Sequence, residues 1–84
     1  MISIIAINIT KNVEKPYMVQ EILSMYGNII RTRIGLSCLE DDETGLRGII
    51  VLEVLCDENN AQLKSLQEQL QEIEGLKLGT VQFE

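Results

Sequence analysis

The sequence contains no histidine and no tryptophan, and it has only two cysteines and one proline among its 84 residues. Histidine is the side chain that titrates unperturbed near neutrality, and it is the commonest metal ligand. Its absence excludes catalytic triads and imidazole-based zinc or nickel sites within one chain. Two cysteines are too few for a disulfide-dense scaffold or for a zinc site built from cysteines alone. We therefore predict no metal and no resident cofactor.

Basic residues are also few, since seven Lys and Arg stand against 13 Asp and Glu, for a formal charge of -6. Such a charge opposes the phosphate neutralisation that supplies most nucleic-acid affinity, so we expect no direct nucleic-acid binding by this chain. No apolar run approaches the ~20 residues of a membrane span. The first residues lack the basic and cleavage-site regions of a signal peptide. We expect a cytoplasmic chain that binds no membrane.

The chain has room for one hydrophobic core. Its 84 residues are 45% apolar and 24% charged, which is typical of one small soluble domain. We therefore predict a single domain over residues 1–84.

Hydrophobic patterning predicts six segments in the order β-α-β-β-α-β. The predicted strands cover residues 2–9, 29–38, 46–56 and 76–83. The first predicted helix covers residues 13–26, and the second follows N-cap candidates at residues 57–60 and ends at Gly75. We expect Gly27 to end the first helix in a left-handed conformation. Right-handed crossovers make a ferredoxin-like α+β fold the natural result, with a four-stranded antiparallel sheet and two helices on one face.

The central strands are apolar on both faces. One set of residues is predicted to face the helices, namely Ile5, Ile7, Ile9, Ile30, Ile34, Leu36, Ile50, Leu52 and Val54. Alternation places a second set on the bare face, namely Ile2, Ile4, Ala6, Ile49, Val51, Glu53 and Leu55. Because contiguous exposed apolar patches mark interfaces, we predict a homo-oligomer, a dimer or a tetramer, built on this second set.

The predicted hairpin register places Glu53 opposite or diagonal to Arg31 and Arg33. One interpretation is a surface ion pair that keeps the sheet in register. The other is an arginine cluster at a subunit junction that receives an anionic group. The same register places Cys38 and Cys56 at opposite ends of the hairpin, roughly 30 Å apart, which excludes a disulfide within one chain.

Polar residues after the first strand and on the second are candidate ligand contacts, namely Asn8, Lys11, Asn12, Arg31 and Arg33. The sequence contains no phosphate-binding loop, no dinucleotide fingerprint and no nucleophile paired with a base, so we predict no catalytic residues. Three hypotheses follow. The chain is a regulatory module that acts through a partner protein or a small ligand between subunits, or a structural assembly module without a ligand. The third and least favoured hypothesis is a small enzyme of the dimeric ferredoxin-like barrel type, because no acid-base pair is visible in the sequence.

Two stretches of the sequence carry a family resemblance. The first covers residues 19–27 (VQEILSMYG), Ile29-Ile30 and residues 33–36 (RIGL), and the second runs from Asp57-Glu58 to residues 75–77 (GLK). Together they resemble the iron-only hydrogenase system regulators over nearly the whole chain. The resemblance implies an ACT-like ferredoxin fold, akin to the regulatory domain of the nickel-responsive repressor, and an association with hydrogenase maturation. The resemblance singles out the positions of Arg33 and Gly35. Because this chain has no histidine, it cannot form the nickel site of that repressor.

Overall fold

The structure, a computed structural model, describes residues 2–37, 48–55 and 61–83. The described elements are β1 (Ile2–Ile9), α1 (Tyr17–Met25), β2 (Ile30–Ser37), β3 (Gly48–Leu55), α2 (Ala61–Gln71) and β4 (Lys77–Phe83). The strands form an antiparallel sheet in the order β2-β3-β1-β4. This arrangement confirms the predicted ferredoxin-like α+β fold.

The two helices cover one face of this sheet and form the core with it. Every second residue of β1 and β3 is buried there, and the apolar side of each helix packs against them. The helix residues of this core are Val19, Ile22, Leu23, Leu63, Leu66 and Leu70. Their spacing of three and four residues is the helical repeat, which explains why the sequence located both helices.

Helix α1 begins later than the sequence predicts, at Tyr17 rather than at Val13. Pro16 stands at its N-cap with φ -61° and ψ -23°. A proline disfavours the helical conformation in the residue before it, so Lys15 cannot readily continue a helix. The residues before it turn instead, and the Val13 amide donates to the Thr10 carbonyl at 3.1 Å. Val13 is nevertheless fully buried, as a core residue of the connection.

Gly27 does not take the left-handed conformation that the sequence predicts. Among the described glycines, positive φ occurs at Gly48 (125°) and Gly75 (86°). Helix α1 ends instead through tight turns, in which the Tyr26 amide donates to the Leu23 carbonyl at 3.1 Å. Bonds of this i to i-3 type tighten the last turn of a helix and satisfy its carbonyls without a left-handed residue.

Strand β2 contains a bulge at Arg31. Ile30 pairs with Val54, whereas Thr32 pairs with Glu53, so that Arg31 is the extra residue. One extra residue shifts the alternation of the following strand by one position. Ile34 and Leu36, which were predicted to face the helices, therefore lie on the other face and are each 52% exposed. That part of the prediction was wrong because regular alternation was assumed through the bulge.

Some predictions concern residues outside the described ranges. Cys38 and Cys56 are among them, so the prediction that they cannot form a disulfide within one chain stays a prediction. In the described part of the chain, neither helix has the length and apolar character needed to span a membrane.

Candidate functional site

The sheet face turned away from the helices is the candidate functional site and is called the open face below. Directly opposite residues of an antiparallel pair point to the same side, so the strand register identifies its members. They are Ile2, Ile4, Ala6 and Asn8 of β1, Thr32, Ile34 and Leu36 of β2, Ile49, Val51, Glu53 and Leu55 of β3, and Lys77, Gly79, Val81 and Phe83 of β4.

Most side chains of the open face are apolar and are in contact with water. Phe83 is 57% exposed and Val81 is 54% exposed, which is unusual for large apolar residues of a sheet. The predicted interface residues, Ile2, Ile4, Ala6, Ile49, Val51, Glu53 and Leu55, all lie on this face. Leaving a large apolar side chain in water costs on the order of 1 kcal/mol or more relative to its burial. The structure thus locates the predicted set on one surface, and its role in assembly stays a prediction.

Sequence reasoning missed the open-face residues on the two edge strands. On β2 the bulge moved Ile34 and Leu36 to this face. On β4 the signal was present in the sequence, because Gly79, Val81 and Phe83 occupy every second position. The open face is therefore wider than the sequence predicts, and it extends across the whole sheet.

A polar cluster interrupts the apolar surface next to the bulge. The Thr32 hydroxyl donates to Glu53 Oε1 at 2.9 Å, and Arg31 Nε lies 3.8 Å from the same oxygen. The Arg31 side chain is 62% exposed, so this ion pair contributes at most about 1 kcal/mol. The cluster nevertheless gives Glu53 a hydrogen bond and an opposite charge within its own chain.

Arg33 does not belong to this cluster. It pairs with Leu52, which is fully buried beneath the helices, so Arg33 lies on the helix side of the edge strand. The prediction that both arginines lie near Glu53 is correct for Arg31 and wrong for Arg33. The bulge is the cause, because it reverses the alternation between these two residues. Arg31 and Arg33 therefore do not lie together on one face.

The five predicted ligand contacts do not converge on one site. Asn8 lies on the open face between Ile49 and Lys77, near the end of β1. Lys11 and Asn12 lie beyond that end, in the connection to α1. Arg31 lies beside Glu53, which pairs with Ile4. This position is roughly 13 Å from Asn8 along the strands, at ~3.3 Å per residue.

A cleft of about 340 Å³ lies where the connection from β1 to α1 meets the connection from α2 to β4. Its lining residues are Asn12, Glu14, Lys15, Met18, Glu72, Ile73 and Glu74. The two connections are joined by a hydrogen bond of 3.3 Å from the Thr10 hydroxyl to the Gly75 carbonyl. Carboxylates outnumber the one ammonium group in the lining, so the cleft favours a cationic group over an anionic one. Asn12 is the predicted ligand contact that it includes.

Within residues 2–37, 48–55 and 61–83, no group of three or more His, Cys, Asp or Glu side chains is arranged to hold a metal ion.

Comparison with known proteins places this chain among its relatives. The model of the TM1266-like family, described as "Iron-only hydrogenase system regulator, putative", matches residues 1–80. Among solved structures, the chain is similar to the uncharacterized protein TM1266 from Thermotoga maritima, with 26% sequence identity and a TM-score of 0.73. That similarity covers 99% of this chain and 96% of the other. No curated protein matches the chain.

Proposed function

Because the chain belongs to the TM1266-like family of iron-only hydrogenase system regulators, we propose that it is a non-enzymatic, oligomeric regulatory protein. It acts through a partner protein or through a small ligand held between subunits. The family match supports the regulatory role. The exposed apolar side chains of the open face support an interface through which the protein would act.

The observation that carries this proposal is the open face. Large apolar side chains such as Ile34, Val81 and Phe83 are about half exposed there. They adjoin the half-buried Ile2, Ile4 and Val51 across paired strands, so they form one continuous surface. A resting monomer would leave all of this surface in water, which an interface avoids.

The non-enzymatic part of the proposal rests on the chemistry of the chain. The sequence has no histidine, so a general base near neutrality would need a strongly perturbed carboxylate or amine. On the open face, Glu53 is held by Thr32 and Arg31 rather than aimed at free space. We therefore assign Glu53, Thr32 and Arg31 a structural role in the sheet rather than a role in acid-base catalysis.

A second candidate function is a structural assembly module that takes no ligand. Thermal unfolding with amino acids, nucleotides and metal ions separates the two, since a ligand that binds the native state raises the apparent melting temperature. A compound that raises the melting temperature of the wild type supports ligand sensing. Loss of that shift in Glu72→Gln would place the ligand in the cleft rather than between subunits. No shift with any compound, together with an oligomer that stays unchanged on dilution, supports the assembly module.

Genetic removal tests the regulatory role directly. In a host that carries this gene and an iron-only hydrogenase, deletion should change hydrogenase activity or the amount of mature enzyme, and the wild-type gene should restore it. Val81→Glu, on the open face, should fail to restore it, whereas Met25→Glu, an exposed apolar residue of α1, should succeed. Unchanged activity after deletion contradicts the proposal.

A further inference from the structure

We propose that a second copy of this chain covers the open face, and that a recess at Gly79 and Ala6 receives a large aliphatic side chain of that copy. This inference rests on the proposed function, because it specifies the surface and the partner of the proposed oligomer.

The recess follows from the register of β1 and β4. Ala6 and Gly79 are direct neighbours, so the two smallest residues of the open face lie side by side. A β-carbon added at Gly79 would meet nothing within 4 Å, which shows that the space above this residue is open. The next pair along the same strands is Ile4 and Val81, whose larger side chains border the recess.

The same face carries the side chains that can fill the recess. Val81 and Ile34 are each more than half exposed, and they lie on opposite edge strands. In a two-fold contact both copies present the same patch, so a patch must be complementary to itself. A face with both a recess and exposed aliphatic side chains meets that condition, and each copy would fill the recess of the other.

The size of the face is sufficient for two copies. Three strands of eight residues and one of seven, at ~3.3 Å rise and ~4.8 Å separation, give a four-stranded face of roughly 500 Å² per copy, or about 1,000 Å² in total. That total is about the lower limit at which a specific interface is expected. Packing of two sheets through their apolar faces, about 10 Å apart, is an established arrangement for such surfaces.

The charges of the open face also favour a second copy over a charged partner. Glu53 is compensated within the chain by Thr32 and Arg31, and Lys77 lies at a corner of the face. An oppositely charged partner would find no excess charge at the centre to match. Two copies can meet there through apolar contact, with the Arg31 side chain reaching the rim.

The test compares Gly79→Val with Gly35→Val. Both glycines lie in edge strands, neither has positive φ, and a β-carbon at either meets nothing within 4 Å, so neither change strains the isolated chain. Gly35 pairs with the buried Ile50 and therefore lies on the helix side. Sedimentation equilibrium should show a wild-type dissociation constant that rises at least tenfold in Gly79→Val and stays unchanged in Gly35→Val. Gly79→Ala gives a smaller increase and keeps the test valid if the valine variant does not fold.

Two results overturn the inference in distinguishable ways. If Gly79→Val assembles as tightly as the wild type or more tightly, the recess is not part of the contact, while an oligomer through another surface stands. If the wild type is a monomer at every concentration, both this inference and the proposed oligomeric function fail. Far-ultraviolet circular dichroism spectra that match the wild-type spectrum would show that each variant is folded.

Discussion

Thr32 lies directly opposite Glu53 on the neighbouring strand, and its hydroxyl donates a 2.9 Å hydrogen bond to the Glu53 carboxylate. The pair stands immediately after the bulge at Arg31, where the register of β2 is set. A slip of one residue would move every later side chain of β2 to the other face. This contact is therefore one of the interactions that keep Ile34 and Leu36 on the open face.

Removing the Thr32 hydroxyl should weaken the fold. In Thr32→Val, Glu53 loses its hydrogen-bond donor, and we expect the free energy of unfolding to fall by about 0.5–1.5 kcal/mol. Urea denaturation measures this change. Thr80→Val is the control, because Thr80 is an exposed threonine of β4 on the helix side. Equal losses in the two variants would contradict a specific role for the contact with Glu53.

Gly75 should be intolerant of a side chain. Its φ is +86°, and a β-carbon would lie 2.7 Å from the Asn12 carbonyl oxygen. The left-handed conformation alone costs a residue with a β-carbon about 1–2 kcal/mol, and the backbone contact adds to it. Gly75→Ala should therefore lower the free energy of unfolding by at least that amount.

The control for this prediction is Gly27→Ala. Gly27 has no positive φ, and a β-carbon there would meet the Ser24 carbonyl oxygen at an ordinary 3.7 Å. Its effect on thermal unfolding should be small. If the two alanine variants unfold at the same temperature, the close approach between Gly75 and Asn12 is not a constraint on the fold.

The hydroxyl of Tyr26 should stabilise the contact between the helices. It lies 2.7 Å from the Ser65 hydroxyl and accepts a hydrogen bond of 2.6 Å from Gln69 Nε2, although the Tyr26 side chain is largely buried. Tyr26→Phe leaves these groups of α2 without that partner, so we expect a loss of about 0.5–1.5 kcal/mol in urea denaturation. Tyr17→Phe, at an exposed position, should change little. The reverse order of effects would contradict the assignment.

Salt should strengthen self-association. Each chain carries a formal charge of -6, so two copies repel each other at long range. Salt screens this repulsion, with a Debye length of about 10 Å at 0.1 M, and leaves apolar contact intact. The dissociation constant from sedimentation should therefore fall as sodium chloride is raised. A rise would indicate that ion pairs between subunits, rather than apolar contact, hold the assembly together.

The sequence was sufficient for the fold because its signals were local. The alternation in β1 and β3 runs unbroken from Ile2 to Ile9 and from Gly48 to Leu55, so both faces of the central strands were predicted correctly. The helical stripes also depend only on neighbouring residues. Pro16 interrupts the helical pattern locally, and the resulting error was limited to the predicted start of α1.

The edges of the candidate site depend on contacts between distant parts of the chain. The bulge in β2 is set against Glu53, which lies 21 residues from Thr32 in sequence, and no pattern within β2 reveals it. Likewise, the left-handed Gly75 lies against Asn12, while Gly27 lacks such a constraint. The predicted ligand contacts do not converge on one site for the same reason, since strand register decides which side chains lie close together.

The mass of the wild-type protein in dilute solution tests the central claim most directly. Light scattering coupled to size exclusion should give a particle whose mass is a multiple of the 9.5 kDa chain, and the open-face variant Val81→Glu should shift it toward a single chain. A well-behaved wild-type particle of 9.5 kDa, unchanged by salt or added ligands, would contradict the claim.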